Sequence, residues 1–220
     1  QTQLAAGTPP DVIDIQGALG LEYAGQGALV DLTPRLAAEA AIKSRYDAAY
    51  LSNWEFEGKS YMVPYYVSKT LLFWNKTRFK EAGLDKPPAS FDDILAAADK
   101  IKGAEKTGLL TLNFDWLYWP FMQMNGVDLL SPDLKKAAFN TPKAAEVMTK
   151  MAEATKSGAI NPISWTGRWV EPNDAFATGN VGMLHAHAPA YFWIKGKGPW
   201  INGDTLGAAQ MPGNWATPNS

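Results

Sequence analysis

The sequence predicts an α/β fold, because short apolar segments of strand composition alternate along the chain with capped, amphipathic segments typical of helices. Apolar residues make up 46% of the 220 residues and charged residues 19%, which is the composition of a globular chain able to bury a core. No internal repeat or low-complexity block interrupts the alternation. The pattern therefore favours an α/β architecture over an all-β fold or a helical bundle.

The first elements are short. Residues 11–15 (Asp-Val-Ile-Asp-Ile) predict a strand, residues 18–27 a short helix and residues 34–51 an Ala-rich helical region. The sequence predicts an extended segment over residues 61–66, although Pro64 cannot donate a hydrogen bond to a neighbouring strand. The buried stripe expected in the helical region consists of Leu36, Ala40, Ile42 and Tyr46.

A strand over residues 70–74 is followed by the helix with the clearest boundaries in the sequence. Ser90 is a suitable N-cap with Asp93 three residues later, and Gly103 ends the helix. The apolar positions that share one face of this helix are Phe91, Ile94, Leu95, Ala98 and Ile101.

The second half of the chain continues the alternation. Thr141 caps a further helix with Pro142 at its first position, and Gly158 ends it. The remaining predicted elements are strands over residues 109–112, 181–187 and 206–211 and a helical turn over residues 174–178.

Composition excludes several classes of function. Twenty basic against 22 acidic side chains give a net charge of -2, so no overall field favours nucleic acid, and we expect no nucleic-acid partner. The absence of cysteine excludes disulfides, thiolate nucleophiles and thiolate metal sites, and we expect no cofactor. The sequence contains no apolar run of the roughly 20 residues that a membrane-spanning helix needs. No basic segment followed by an apolar one occurs at Gln1, so we expect no signal peptide within these residues.

Tryptophan is unusually frequent. The chain has nine Trp residues, and aromatic residues make up 12% of the sequence. Many of the tryptophans stand beside polar or turn-forming residues, as in Asp115-Trp116, Trp119-Pro120 and Arg168-Trp169. This neighbourhood favours positions in loops or cleft walls, where an indole can contact a ligand.

A set of short segments then occurs along the chain in a particular order. They are residues 7–12 (GTPPDV), 27–32 (GALVDL), 58–64 (GKSYMVP), 72–76 (LFWNK), 82–84 (AGL), 87–93 (PPASFDD), 139–142 (FNTP), 176–183 (FATGNVGM) and 211–212 (MP). As an ordered set spanning roughly residues 5–213, they resemble the bacterial extracellular solute-binding proteins of ABC importers. The resemblance is to family 1, the broad sugar-binding group that includes the maltose-binding type.

The resemblance implies a periplasmic-binding-protein-like fold of type II, with two α/β lobes and a ligand cleft. Mapped onto this chain, residues 1–67 belong to a first lobe that is incomplete, residues 68–203 to the second lobe and residues 204–220 to the return towards the first. It also implies hinges near residues 68–70 and Thr205, and closure of the lobes around the ligand.

By the same resemblance, the protein is an extracytoplasmic substrate-binding component that catalyses nothing. We expect it in the periplasm, or anchored outside the membrane, with its signal sequence upstream of Gln1. Its partners are then a small-molecule ligand, a mono- or oligosaccharide, and the permease subunits of an ABC transporter, and we expect the protein to be a monomer.

Carbohydrate recognition needs flat apolar faces next to planar hydrogen-bonding groups, and residues 113–119 (NFDWLYW) offer both. In the family this segment follows a second-lobe strand, where ligands meet strand ends. Asp115, Trp116 and Trp119 are therefore candidates for ligand binding. The alternative is that the two indoles, three residues apart, pack a helix start into the lobe.

Two candidates come from the predicted first lobe. Gln16 follows the first predicted strand and faces the cleft by family placement, although a polar residue there can equally cap a turn. Tyr65 precedes the predicted crossover to the second lobe, and either Tyr65 or Tyr66 is expected to face the cleft.

Three further candidates lie late in the chain. Arg168 belongs to a second group of aromatic and polar residues with Trp165 and Trp169. Its guanidinium can donate two parallel hydrogen bonds to vicinal hydroxyls or to an anion. Surface arginines more often form salt bridges. One of the two histidines at residues 185 and 187 is expected to hydrogen-bond to the ligand, because the resemblance places cleft residues just after this strand, and His185 is the candidate. Trp193 follows within reach of the same region.

Metal binding and catalysis find little support in the sequence. His185 and His187 share one strand face, which is a known arrangement for zinc, but a metal would need distant carboxylates, so we expect no metal. Glycoside hydrolysis needs two carboxylates flanking one bond, and no pair stands out. Asp92 and Asp93 are explained by their helix N-terminus. We therefore expect no catalytic residues.

Three alternatives remain open at this stage. A binding protein for an anionic sugar derivative or a polyol, such as a glycerol 3-phosphate-like solute, would depend more on Arg168 and Lys69 than on stacking. A carbohydrate-active enzyme would need a carboxylate pair in the cleft. A sensory or scaffold module could keep the fold without transport.

Overall fold

The computed structural model describes residues 2–65, 68–133 and 135–211, and within them every side chain except that of Asp115. The chain divides into two compact units, one comprising residues 1–67 and the other beginning at Ser68. We describe each unit by itself. None of the helices within the described ranges has the length and apolar character needed to cross a bilayer.

The first unit consists of short helices and one small hairpin. Its core includes Tyr23, Ala24, Leu36 and Leu51. Its elements are helices α1 (Thr2–Ala5), α2 (Gly17–Gly25), α3 (Thr33–Ala38), α4 (Ala40–Lys43) and α5 (Ala48–Ser52), and antiparallel strands β1 (Glu55–Phe56) and β2 (Lys59–Ser60).

Two predictions for this unit are wrong. Residues 11–15 form no strand, since no described segment pairs with them and Val12 remains 87% exposed. A strand needs a hydrogen-bonded neighbour, whatever its composition. The predicted helical region breaks into three short helices, and Ile42, expected in the buried stripe, is 40% exposed. The short helix over residues 18–27 is confirmed as α2.

The second unit is a four-stranded mixed sheet with helices on both faces. The strand order is β4-β5-β3-β6, with β4 parallel to β5 and with β3 antiparallel to both β5 and β6. The strands are β3 (Thr70–Asn75), β4 (Thr107–Leu110), β5 (Val181–His187) and β6 (Leu206–Gln210). The helices are α6 (Lys76–Glu81), α7 (Phe91–Ile101), α8 (Asp115–Met124), α9 (Pro142–Lys156), a 3₁₀ helix (Pro162–Trp165), α10 (Val170–Ala177) and α11 (Ala190–Lys197).

Most predicted elements of this unit are confirmed. Ser90 accepts a hydrogen bond from the Asp93 N–H and caps α7, and Thr141 caps α9 with Pro142 in the first turn. The strand over residues 181–187 has the predicted bounds. Residues 206–210, which the sequence analysis places in the return segment, form β6 and lie in the second unit.

Alternation along the strands divides the apolar core between the two faces of the sheet. Leu72 and Met183 pack with α7, α8 and α9, whereas Phe73 and Leu184 pack with α10 and α11. The approach of α7 to β4 is close, because a Cβ added at Gly108 would lie 2.1 Å from the Ala98 carbonyl oxygen. Helix α7 therefore packs directly against the backbone of β4 at a position that has no room for a side chain.

The sheet has two distinct ends. The carboxyl ends of the parallel strands β4 and β5 lie at one end. The antiparallel pairings of Thr70 with His187 and of Leu71 with Gln210 place the start of β3 and the finish of β6 there too. We call this the His187 end and the opposite one the Asn75 end. The chain therefore enters and leaves the sheet at the His187 end.

Candidate functional site

Four aromatic rings meet at the His187 end of the sheet. Trp116 stacks nearly parallel to Phe114, with ring centroids 5.9 Å apart and an interplanar angle of 14°. His187 meets Trp169 edge-on at 4.3 Å and lies 5.8 Å from Trp116. All four rings are half-buried, so they combine mutual packing with surface that a ligand could contact. We call Phe114, Trp116, Trp169 and His187 the aromatic cluster.

The elements of the second unit bring these rings together. Phe114 precedes α8 and Trp116 lies in its first turn, after the chain has left β4. Trp169 immediately precedes α10, and His187 is the last residue of β5. Ligand sites of α/β sheets commonly lie beyond the carboxyl ends of parallel strands. The cluster occupies that position for β4 and β5.

His185 lies two residues before His187 but has no exposed surface. Its Nδ1 lies 3.2 Å from the Thr111 hydroxyl oxygen, and its ring packs edge-on against Phe121 at 4.7 Å. Burial lowers the pKa of His185 to about 3, because desolvation disfavours the imidazolium form. His185 is therefore neutral at pH 7, and its enclosure leaves no surface for the direct ligand contact that the sequence analysis expects.

Trp119 lies one turn after Trp116 on α8 and is half-buried. Its ring lies 5.6 Å from that of Phe139, in the loop that precedes α9, with an interplanar angle of 47°. Residues three apart on a helix are surface neighbours. Trp116 and Trp119 therefore lie near one another on the surface of α8, a spacing that is compatible both with ligand binding and with packing of the helix start into the lobe.

Arg168 and Trp193 are engaged in surface contacts. Arg168 forms a 2.7 Å ion pair with Glu171, and this contact raises the pKa of the guanidinium. The Trp193 indole N–H donates to Asp174 Oδ1 at 2.8 Å, and Lys197 pairs with the same carboxylate. The Lys197 amine also lies 4.6 Å from the centre of the Trp193 ring. A ligand would have to compete with these contacts or add to them.

The remaining predicted residues are two in the first unit and one at the start of α8. Gln16 is exposed at the N-cap position of α2, its side chain makes no capping bond, and Tyr65 is 84% exposed. Both belong to the first unit. Asp115 begins α8, but its side chain lies outside the part of the chain that the structure describes, as does the whole of Tyr66.

The sequence did not lead to the selection of Phe114, Trp169 or His187 as ligand residues, although either histidine was considered for hydrogen bonding to the ligand. Trp169 belongs to the aromatic and polar group around residue 168, from which Arg168 was selected, while Trp165 packs against Tyr118 with centroids 6.1 Å apart. His187 has a signal in the sequence, because the last residue of a buried strand is the one that reaches the edge of the sheet. That rule favours His187 over His185.

The arrangement supports binding by apolar contact. Within the described residues, no three side chains from His, Asp and Glu are grouped in a way that could hold a metal ion. Burial lowers the pKa of His187 as well, which favours the neutral form of its ring. The cluster therefore offers neutral aromatic surface with one imidazole able to form hydrogen bonds.

Comparison with known proteins gives a consistent result. The family model described as "Bacterial extracellular solute-binding protein" matches residues 1–210. The chain is 31% identical over 202 residues to the sn-glycerol-3-phosphate-binding periplasmic protein UgpB of Brucella abortus, a match covering 80% of this chain and 43% of that protein. The chain thus spans less than half the length of this curated relative.

Solved structures are also similar. An ABC transporter solute-binding protein from Thermotoga lettingae, bound to α-D-tagatose, has a TM-score of 0.83 at 24% identity, covering 97% of this chain and 56% of that one. An ABC substrate-binding protein from Listeria monocytogenes, in complex with cycloalternan, has a TM-score of 0.79 at 26% identity. That match covers 97% of this chain and 55% of the Listeria chain.

Proposed function

Because the chain belongs to the bacterial extracellular solute-binding protein family, we propose that it is the ligand-binding part of an ABC importer's extracytoplasmic receptor for a small, neutral carbohydrate. The fold predicted from sequence, of the type II periplasmic-binding-protein kind, is confirmed by the similar structures. The ligand and its mode of binding are the proposal. Fold alone does not identify either, so both have to be argued from the site.

The aromatic cluster is the observation that supports a carbohydrate. Half-buried Trp116 and Trp169 offer flat apolar surface for the C–H face of a sugar ring, and His187 adds a hydrogen-bonding edge. The cluster lies at the end of the sheet where the chain enters and leaves the second unit. In a protein that closes on its ligand, binding surfaces belong beside such crossings.

The ion pairs formed by Arg168 and Lys197 favour a neutral ligand. Arg168 already pairs with Glu171, and Lys197 with Asp174. An anion that used Arg168 or Lys197 would have to displace a carboxylate from that cation, at the cost of leaving the carboxylate without its partner. A neutral sugar requires no such exchange. Lys69, directly before β3 at the His187 end, is the cation on which the anionic alternative would then depend.

An anionic ligand is the second candidate, and a specific observation favours it. The Brucella abortus relative is described as an sn-glycerol-3-phosphate-binding protein, and the chain is 31% identical to it. The Listeria protein, at 26% identity, was solved with cycloalternan, a carbohydrate. Under the second candidate, Arg168 would release Glu171 and bind the phosphate with its guanidinium fork.

The rest of the proposal concerns the whole protein. Residues 1–67 would belong to the first lobe and contribute Gln16 and Tyr65, and the second unit would contribute the aromatic cluster. The ligand would stabilise the closed form only to the extent that it contacts both lobes. A membrane permease would then recognise the closed form, and the receptor would act as a monomer without catalysing a reaction.

A thermal-shift screen of the full-length protein tests this proposal, since a ligand that binds only the native state raises the melting temperature. The panel contains neutral mono- and oligosaccharides, polyols, sugar phosphates and sugar acids. We expect a rise with a neutral sugar that is lost in Trp116→Ala. The matched control is Met148→Ala, an exposed apolar truncation on α9. Rises confined to anions would favour the second candidate instead.

A further inference from the structure

Two asparagines of the second unit, Asn125 and Asn202, are followed directly by glycine. An asparagine before glycine can lose its side-chain amide, because no side chain on the next residue obstructs attack of the glycine nitrogen on the Asn Cγ atom. A bond forms between Cγ and that nitrogen, and ammonia leaves. Water then opens the cyclic imide to aspartate or isoaspartate. The two sites share this sequence and differ in their hydrogen bonds.

Asn125 follows the last residue of α8, and both of its reacting groups are engaged there. The Gly126 N–H donates to the Gln123 carbonyl at 2.8 Å. The Asn125 side-chain amide donates to the Phe121 carbonyl, also at 2.8 Å. The reaction would have to break both hydrogen bonds, so the fold should protect Asn125.

Asn202 lies in an exposed turn between α11 and β6, and its reacting groups are less restrained. Within the part of the chain that the structure describes, the Gly203 N–H donates to no acceptor. The Asn202 Nδ2 atom makes only a long contact, 3.5 Å from the Trp200 carbonyl oxygen. The attacking nitrogen and the departing amide can therefore move without the loss of a short hydrogen bond.

Backbone donors are also placed where negative charge develops during this reaction. Asn202 Oδ1 accepts from the N–H groups of Asp204 at 2.8 Å and Thr205 at 3.2 Å. The Asn202 backbone carbonyl accepts from the Leu206 N–H at 2.9 Å. Charge develops on Oδ1 when Cγ is attacked, and on the backbone carbonyl oxygen when the adjoining nitrogen loses its proton. Preorganised N–H donors at both oxygens stabilise that charge.

We propose that Asn202 is a site of spontaneous modification, converted to aspartate and isoaspartate in the folded protein while Asn125 is preserved. Leu206 begins β6 and pairs with Asn75, so the site lies at the Asn75 end of the sheet. Isoaspartate adds one carbon to the main chain and would lengthen the turn directly before β6. This inference is independent of the proposed ligand, which would bind at the opposite end.

The test compares the two asparagines in the folded full-length protein and in the same protein unfolded in urea, at mildly alkaline pH. Peptide mapping by mass spectrometry gives the rate of deamidation at each site. We expect Asn125 to react at least about tenfold more slowly in the folded protein than in the unfolded one, and Asn202 to change by less than about threefold. Equal protection of both sites by the fold would overturn the proposal.

Gly203→Ala is the matched variant, because a Cβ at this position meets no atom within 4 Å and the Gly203 φ lies outside the left-handed region. The variant should therefore fold as the wild type does. Its methyl group obstructs the attacking nitrogen, so we expect deamidation at Asn202 to slow about tenfold or more while the rate at Asn125 stays the same. An undiminished rate at Asn202 in the folded variant would show that the Gly203 nitrogen is not the nucleophile and would overturn the proposal.

Discussion

The two ends of the sheet in the second unit carry different kinds of side chain, hydrogen-bonding groups at one end and aromatic rings at the other. At the Asn75 end, the buried Asn75 side chain accepts from the N–H groups of Thr77 and Arg78 and donates to the Gly179 carbonyl at 3.1 Å. The Arg78 guanidinium donates to the same carbonyl at 2.9 Å. At the His187 end, four aromatic rings pack on one another and remain half-exposed.

The difference separates structural from functional chemistry. Asn75 uses its acceptor and donor locally to join the start of α6 to the turn before β5, so substitution there should affect folding. The rings at the other end retain partly exposed faces, so their substitution should affect binding more than folding. Variants at the two ends therefore test whether this division is correct.

The largest expected effect comes from Asn75→Ala. The substitution removes an N-cap and a buried hydrogen bond and leaves the Gly179 carbonyl with one donor fewer. We expect the free energy of unfolding to fall by about 2–3 kcal/mol, measured by urea denaturation. Ser90→Ala, which removes only the exposed cap of α7, should cost about 1 kcal/mol. Equal losses in the two variants would contradict the structural importance assigned to Asn75.

The next effect is a pH dependence that distinguishes His185 from His187. Because the folded pKa of His185 is about 3 and the unfolded one near 6.5, the unfolded chain binds the extra proton as pH falls below 6.5. The free energy of unfolding is therefore not reduced by this group above pH 6.5, and it falls progressively as the pH decreases towards 3. We expect a loss of about 2 kcal/mol from this group between pH 7.5 and pH 5.

Paired substitutions isolate that contribution. His185→Gln should flatten the decline in unfolding free energy between pH 7.5 and pH 5, measured by denaturant titration at each pH. His187→Gln should change the slope less, because His187 is only half-buried. Equal slopes in the wild type and His185→Gln would show that His185 is not responsible for the acid sensitivity.

A smaller effect is expected from Trp169→Ala. This substitution removes the edge contact to His187 and one wall of the aromatic cluster. We expect the dissociation constant for a neutral sugar found in the screen to rise about tenfold, with Trp169→Phe recovering part of the loss. Loss of stability without loss of affinity in a folded variant would place Trp169 with the structural residues instead.

The smallest effect is expected from Arg168→Gln. The Arg168 side chain is exposed and its partner Glu171 lies on the surface, so the ion pair should contribute little to folding. For a neutral ligand we expect less than a twofold change in dissociation constant by calorimetry. A weakening of tenfold or more, confined to anionic solutes, would instead support the second candidate function.

The sequence was sufficient to predict those elements whose boundaries depend only on neighbouring residues. Ser90 and Thr141 mark helix starts through capping that depends only on nearby residues, and both helices begin there. Residues 11–15 show the limit of this approach, since strand composition cannot reveal whether a partner strand is available. Ile42 shows another, since helical periodicity does not indicate which face meets a core.

The candidate site was less predictable because it depends on which side chains reach the edge of the sheet. Trp116 and Trp119 were selected as candidates from the density of aromatic residues in one segment. The alternation that places His185 and His187 on one face cannot by itself show how far the covering helices extend. Phe121 and Thr111 enclose the first imidazole and leave the second near the edge.

The pairing of Leu71 with Gln210 gives the second unit one further property. Residues paired across antiparallel strands lie about 5 Å apart at their Cα atoms, so the points at which the chain enters and leaves the sheet are neighbours. A gene encoding residues 70–211 would therefore produce a polypeptide whose ends meet. A short Gly-containing turn could join those ends, and new termini could be opened in a surface loop, giving a circular permutant that keeps every strand pairing of the sheet.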